Sequence, residues 1–274
     1  MKITLLGTGT PMPNPDRAGA ATLLESGTQR VLVDAGRGVV MRLSAAGVLP
    51  VMLNGVIITH LHSDHITDLN DVITTQWIMS AGPTPLRIYG PIGIKRVVDG
   101  ILASLEPDIS YRLEHHQDSL TWRPTVSVTE VSPGDTFQLD ELQVTVGRTD
   151  HQPVEPTVGY RIHHDDKSVV FGGDGLPCPE LDALCSGSDV YVQTVMRDDL
   201  VRQVPNKRFL DVLDYHSTVE QAAQTAARGG VKTLVMTHYI PGMQRGQEDE
   251  WREIAARHFS GTIVLGDDLT STTW

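Results

Sequence analysis

Short apolar runs broken by glycine and small polar residues recur along almost the whole chain, and most have strand character. Lys2–Leu6 is the first. Ala20–Leu24 and Arg30–Val33 follow as a pair joined by the turn Glu25-Ser26-Gly27-Thr28. Gly55-Val56-Ile57-Ile58 is a short, largely β-branched apolar run of the kind found in strands buried on both faces. Leu86–Tyr89, Val190–Thr194, Thr233–Met236 and Thr262–Leu265 are further strands, while Leu142–Val146 alternates as a half-buried strand does. Val158–Ile162 and Ser168–Phe171 flank the polar stretch His163–Lys167, which predicts a hairpin turn.

Helical periodicity falls between these runs. It covers Val39–Ala46, stopping at Gly47, then Ile66–Met79 and Ile92–Leu105. Ser217-Thr218-Val219-Glu220 has the form of a capping box opening an alanine-rich helix that Gly229-Gly230 ends. Tyr111–Val131 alternates and is expected to add strands, with His115 and His116 exposed among its polar residues. Gly7-Thr8-Gly9-Thr10-Pro11 is a tight loop without a following helix, so it is no dinucleotide fingerprint.

The 274 residues contain no low-complexity segment and no convincing linker, so one domain with a sizeable core is expected. Two cysteines, Cys178 and Cys185, make neither a disulfide framework nor a zinc-finger spacing and read as thiols in a reducing cytosol. The apolar run at the amino terminus is too short for a signal peptide, and no stretch approaches the ~20 apolar residues that span a bilayer. A cytoplasmic protein with no membrane partner follows. The net charge of -12 argues against a nucleic-acid surface. It leaves room for an anionic small substrate, because bound metals dominate a local field.

Chemistry concentrates in Thr59-His60-Leu61-His62-Ser63-Asp64-His65, directly after the buried run at 55–58. His60 and His62, two apart, point to one face of an extended backbone. Four metal-ligand types within six residues predict metal binding. Three more strands run into candidate ligands, at His151, Asp174 and His238. Each is a weak signal alone, and together with the first cluster they are strong. Five histidines and two aspartates exceed one four-coordinate ion and suit two, with Asp174 as the natural bridge because a carboxylate offers two oxygens. Two dipositive ions would leave the site near +2, or about +1 with a bridging hydroxide. Such a pair lowers the pKa of a shared water and steadies both attacking and leaving oxygens. Zinc is the first expectation, with Mn2+ or Fe2+ as alternatives.

The pattern resembles the metallo-β-lactamase superfamily and, within it, the ribonuclease Z-like and arylsulfatase-like hydrolases. The resemblance runs through Leu5–Thr10, Asp34-Ala35-Gly36, His60–His65, Ile88-Tyr89-Gly90-Pro91, Gly159–Ile162, Phe171-Gly172-Gly173-Asp174, His216-Ser217-Thr218 and Thr237-His238-Tyr239. It implies an α/β fold, an αβ/βα four-layer sandwich with the dimetal site at one edge between the sheets. It implies His60, His62 and His151 as ligands of a first metal, and Asp64, His65 and His238 as those of a second, with Asp174 bridging. By the same resemblance His216 lies near the reacting group. Two departures stand out. His151 and Asp174 are only 23 residues apart, where true ribonuclease Z carries a long tRNA-gripping arm, and Gly175 stands where threonine is common.

The expected activity is therefore a dimetal hydrolase of a small-molecule ester, whether aryl sulfate, phosphodiester, carboxylic ester or lactone, with a bridging hydroxide as nucleophile. The missing arm and the acidic charge exclude tRNA as the main substrate on this reading. A ribonuclease Z-like phosphodiesterase acting on nucleic acid is the alternative, and a di-iron redox protein or a non-catalytic binding protein on the same fold are the other two. A homodimer is left open. Asp64 and His216 are the expected catalytic residues. His216 is free of both ligand sets and sits just before a helix cap, so it is assigned as proton donor to the leaving group, the competing account being a hydrogen bond to a ligand carboxylate. Trp77, Met79, Met196, Arg197 and Met243 flank site segments and are candidates for the pocket lining, against ordinary packing.

Overall fold

The computed structural model describes residues 1–274. Six strands, β1 (Lys2–Gly7), β2 (Ala21–Ser26), β3 (Gln29–Val33), β4 (Gly55–Ile57), β5 (Leu86–Pro91) and β6 (Val126–Val131), lie side by side in chain order. The second sheet holds β7 (Thr136–Leu139), β8 (Leu142–Arg148), β9 (Val158–His164), β10 (Lys167–Phe171), β11 (Val190–Met196), β12 (Thr233–Ile240) and β13 (Thr262–Val264), again in chain order. A last strand, β14 (Ser271–Thr273), returns to the first sheet and pairs with β1. Each sheet is mixed: β3 to β6 run parallel in one, β10 to β13 in the other.

Alternate residues of the central strands face two different apolar layers, which is why the runs read as continuously hydrophobic. Ile3, Leu5, Val31, Val33 and Ile57 meet Val144, Tyr160, Ile162, Val190 and Val192 between the sheets. Leu6, Leu32, Val56 and Ile58 face outward, toward α1 (Val39–Ala45), α3 (Leu69–Met79) and α4 (Ile94–His115), which follow the short α2 (Ser63–Ile66) in covering that sheet. Tyr191, Leu234 and Met236 face α5 (Pro179–Cys185), α8 (Val219–Gly229) and α9 (Glu248–Ala256) on the other side. The result is the four-layer sandwich expected. No helix is long and apolar enough to cross a membrane.

Three local expectations differ. The helix begun near Ile92 continues through Pro107 to His115, so only Val126–Val131 of the alternating stretch is a strand; much of this helix is exposed, and its sparse apolar positions mimic alternation. The helix expected over Ile66–Met79 is broken at Thr67-Asp68, where Asp68 accepts from the Gly38 amide. The capping box shifts by one residue, from Ser217/Glu220 to Thr218/Gln221. Ser217 is engaged elsewhere, its hydroxyl donating to the Gly175 carbonyl at 2.7 Å.

Candidate metal centre

Parallel strands deliver their carboxyl ends to one rim of the sandwich, where crevices for ligands form in α/β sheets. His60 and His62 follow β4, His62 with extended backbone, and Asp64 and His65 lie on the single turn of α2. His151 follows β8, Asp174 follows β10, and His238 lies within β12. All seven come together in two groups, His60/His62/His151/Asp174 and Asp64/His65/His238, with ligand atoms of each group within 4.8 Å of one another. Six of the seven are buried, and His62 alone is half-exposed.

In the first group three imidazole nitrogens converge: His62 Nδ1 lies 3.1 Å from His60 Nε2 and 3.2 Å from His151 Nε2. Tetrahedral bonds of 2.0–2.1 Å to one ion would separate such atoms by about 3.3 Å. Burial is the main influence lowering the pKa of each, well below the ordinary value for His60 and to about 4 for His151. Neutral imidazole is the ligating form. The second group, with the shared Asp174, pairs carboxylates against imidazoles. Burial opposes ionisation of Asp174, but His238 and His65 outweigh it and hold the carboxyl well below the usual range. Burial likewise opposes charge on His65 and His238, and neighbouring carboxylates, Asp174 foremost, win. Buried carboxylates are costly unless paired with cations, and the Nε2 of His65 is buried without a hydrogen-bond partner. The donor set thus fits divalent ions.

Asp174 links the groups. Its Oδ2 is 3.3 Å from His65 Nε2, 3.7 Å from His238 Nε2, 3.8 Å from His60 Nε2 and 3.3 Å from His216 Nε2. The Thr194 hydroxyl donates to its other oxygen at 2.6 Å. Supports of this kind set ring orientation and ligand basicity. His151 Nδ1 faces the Tyr215 carbonyl at 2.8 Å, and His65 Nδ1 faces Asp34 Oδ2 at 2.8 Å. Asp34, which the sequence marked only as part of a motif, also accepts from the Thr59 amide and hydroxyl at 2.8 and 2.9 Å. Both Asp34 and His238 adopt left-handed backbone, φ 60° and 48°, which side chains other than glycine seldom take outside constrained sites. At Gly175 an added Cβ would lie 2.7 Å from the Asp150 carbonyl oxygen, so the threonine common at that position has no room here.

The His238 backbone is held from behind. Arg17, its side chain almost wholly buried, reaches Thr8 Oγ1 at 2.6 Å, the Met243 carbonyl at 3.2 Å and Asp267 at 2.7 Å, and lies 5.2 Å over the Tyr239 ring. Asp268 takes the Thr8 amide and hydroxyl, the Ala18 amide and Arg42.

A cleft of about 630 Å³ opens over His62, Asp64, Asp174, His216 and His238. Thr10-Pro11-Met12 forms one wall. Asn206, Arg208, Phe209, Val212 and Tyr215 form the other, seated through Phe209 and Val212 on Met196, Val201 and Ile240. None of the five lining candidates reaches it. Trp77 is core, Met196 and Met243 are buried, Arg197 is paired with Asp199, and Met79 is an exposed helix end. The actual walls come from the Thr10-Pro11-Met12 loop and from short helical turns around 207–214, which carry no periodic signal.

Comparison with known proteins adds the lineage. The model of a family described as beta-lactamase superfamily domain matches residues 29–239. Ribonuclease Z of Mycobacterium bovis (strain BCG / Pasteur 1173P2) is 51% identical over 271 residues, 98% of this chain and 96% of that protein. Among solved structures, the metallo-beta-lactamase fold protein YhfI from Bacillus subtilis superposes with TM-score 0.76 at 20% identity, covering 99% and 98% of the two chains. The short form of human tRNase Z superposes with TM-score 0.72 at 23% identity, covering 100% and 99%. The two structures speak for the fold.

These findings overturn the small-ester substrate and the exclusion of tRNA. The missing arm does not separate this chain from its relatives, since a protein named ribonuclease Z matches it over 96% of its own length and leaves no room for a long extra arm. The charge of -12 sums the whole surface, whereas the field at a cleft is set by the few groups that line it, here Arg208 and the ligand set.

Proposed function

This chain belongs to the metallo-β-lactamase superfamily, in its ribonuclease Z-like branch, and from that premise we propose that it is a dimetal phosphodiesterase of cytoplasmic RNA, cutting precursor tRNA at its 3′ side. The observation that carries the reading is Asp174, whose single oxygen lies within 3.8 Å of imidazoles from both ligand groups. That arrangement favours His60, His62 and His151 as ligands of one ion, Asp64, His65 and His238 as ligands of the other, and Asp174 as the bridge. Two divalent ions, zinc first, would supply an activated water and neutralise charge on the phosphoryl oxygens. The 51% identity to a ribonuclease Z over nearly the full length favours RNA over other diesters.

The protein's own groups do the rest. Asp64 and Asp174 hold negative charge in a buried pocket, and Asp34 fixes the His65 ring. His216 has Nδ1 against the Val212 carbonyl at 3.2 Å, which turns Nε2 toward Asp174 and the cleft floor. From there Nε2 can give a proton to the departing ribose oxygen. The contact with Asp174 equally supports the plainer role of steadying that carboxylate, and the leaving-group series described below separates the two.

The test is cleavage of a 3′-extended precursor tRNA by metal-replete protein beside bis(p-nitrophenyl) phosphate. We expect a single endonucleolytic cut near the end of the acceptor stem, lost on chelation and restored by zinc. Hydrolysis of the small diester with an intact precursor tRNA overturns the RNA assignment.

A further inference from the structure

We propose that Met12 and Phe209 form an apolar clamp for a nucleobase beside the scissile phosphate. The inference rests on the RNA reading above and adds to it a contact that discriminates RNA from a bare phosphodiester.

Met12 is 68% exposed, yet it faces the mouth of the cleft over the ligand groups. Its loop is not a free tip. Prolines at 11, 13 and 15 fix three backbone angles. The loop base is tied by the Gly9 amide to the Ala18 carbonyl at 2.8 Å and by the bonds of buried Arg17. A rigid backbone thus presents a side chain with three soft torsions and a polarisable sulfur, suited to contact with flat π systems.

Phe209 lines the same cleft from a distant segment of the chain, on the short α7 (Lys207–Leu210), whose start Asn206 caps. The ring is half-buried against the Met196, Val201 and Ile240 cluster, so it is a fixed platform and not a flexible flap. Between the walls lies a cleft of about 630 Å³, far more than a phosphate needs and within the range of pockets that hold larger organic groups. A phosphate at the floor places its attached nucleoside between these walls, with exposed Arg208 on the Phe209 side to meet an adjoining phosphate. A base has a π-face whatever its identity, so the clamp would be tolerant of sequence.

Steady-state cleavage by metal-loaded protein tests this with a short RNA, two versions abasic on one or the other side of the cut bond, and a base-free diester, the same RNA abasic on both sides. We expect Met12→Ala to lose roughly tenfold in kcat/KM on RNA, mainly through KM, a larger loss than on the base-free diester. Met12→Leu should recover much of it. One of the two abasic RNAs should cost the wild type a similar factor and cost Met12→Ala little more. Equal losses on RNA and on the base-free diester, or an abasic penalty undiminished in Met12→Ala, overturn the clamp while the RNA reading stands. A wild-type protein that cuts bis(p-nitrophenyl) phosphate and none of the RNAs overturns both, and does so before any variant is made.

Discussion

The two ligand groups are built on opposite principles. His60, His62 and His151 are imidazoles whose pKa burial lowers, and only the half-exposed His62 reaches the cleft. Asp64, His65 and His238 are buried; against that burial neighbouring carboxylates raise the pKa of both imidazoles, and the group is backed by Asp34 and held partly by left-handed backbone at His238. The first group is defined by convergence of lone pairs, the second by carboxylates that need cations. The lesson is that similar counts of ligands can be held in place by different forces, and so should fail differently.

The largest effect should come from the residue the two groups share. Asp174→Ala should abolish hydrolysis and leave at most about one ion by elemental analysis after dialysis, because it removes an oxygen close to four imidazoles. Retention of two ions would break the bridge assignment. His60→Ala and Asp64→Ala should each remove most activity but deplete different ions, which anomalous scattering or cobalt spectra of the variants can distinguish. Indistinguishable loss of both ions from the two variants would erase the division itself.

Among the ligands His216 hydrogen-bonds only the shared carboxylate, its ring lying edge-on to His151, so it probes chemistry more than occupancy. His216→Ala should cost roughly 10²–10⁴-fold for a diester with an alkoxide leaving group and much less for nitrophenolate, with metal content unchanged. A uniform loss across leaving groups, or a loss of metal, would assign it to supporting Asp174. The smallest effect sharpens the contrast most. Asp34→Asn should weaken the second ion by about 10–100-fold and spare the first, since the carboxylate touches His65 alone among the ligands. Competition with a chromogenic chelator would show one affinity move and the other stay.

How much of this could be read from the chain depended on how local each signal was. His60–His65 is legible because four ligand types crowd six residues after a buried strand. His151, Asp174 and His238 are legible only jointly, because each ends or follows a strand with nothing nearby to single it out. The sandwich follows from runs apolar on both faces, such as Val31–Val33 and Val56–Ile58. Asp34, Thr194 and the Tyr215 carbonyl stay hidden, since a residue that orients a ligand from 20 to 64 positions away leaves no spacing to read. The substrate was misread for a related reason. Net charge and a missing arm are properties of the whole chain, and the cleft is made by a few residues on a loop and a short helix, such as Met12 and Phe209.

The bonds around Arg17 and Asp268 carry a consequence for timing. They join residues 8, 17, 18 and 42 to residues 243 and 266–268, contacts separated by 226 to 260 positions. Closing such long loops costs entropy before any contact rewards it, so these bonds belong to the last stage of folding. They are also what seats the Met12 loop and backs the strand end that carries His238. A chain still folding can therefore gather His60 and His62 early, but it completes neither the second ligand group nor the wall of the cleft until its most distant segments have met. A partly folded molecule in this way lacks a complete ligand set and a finished cleft.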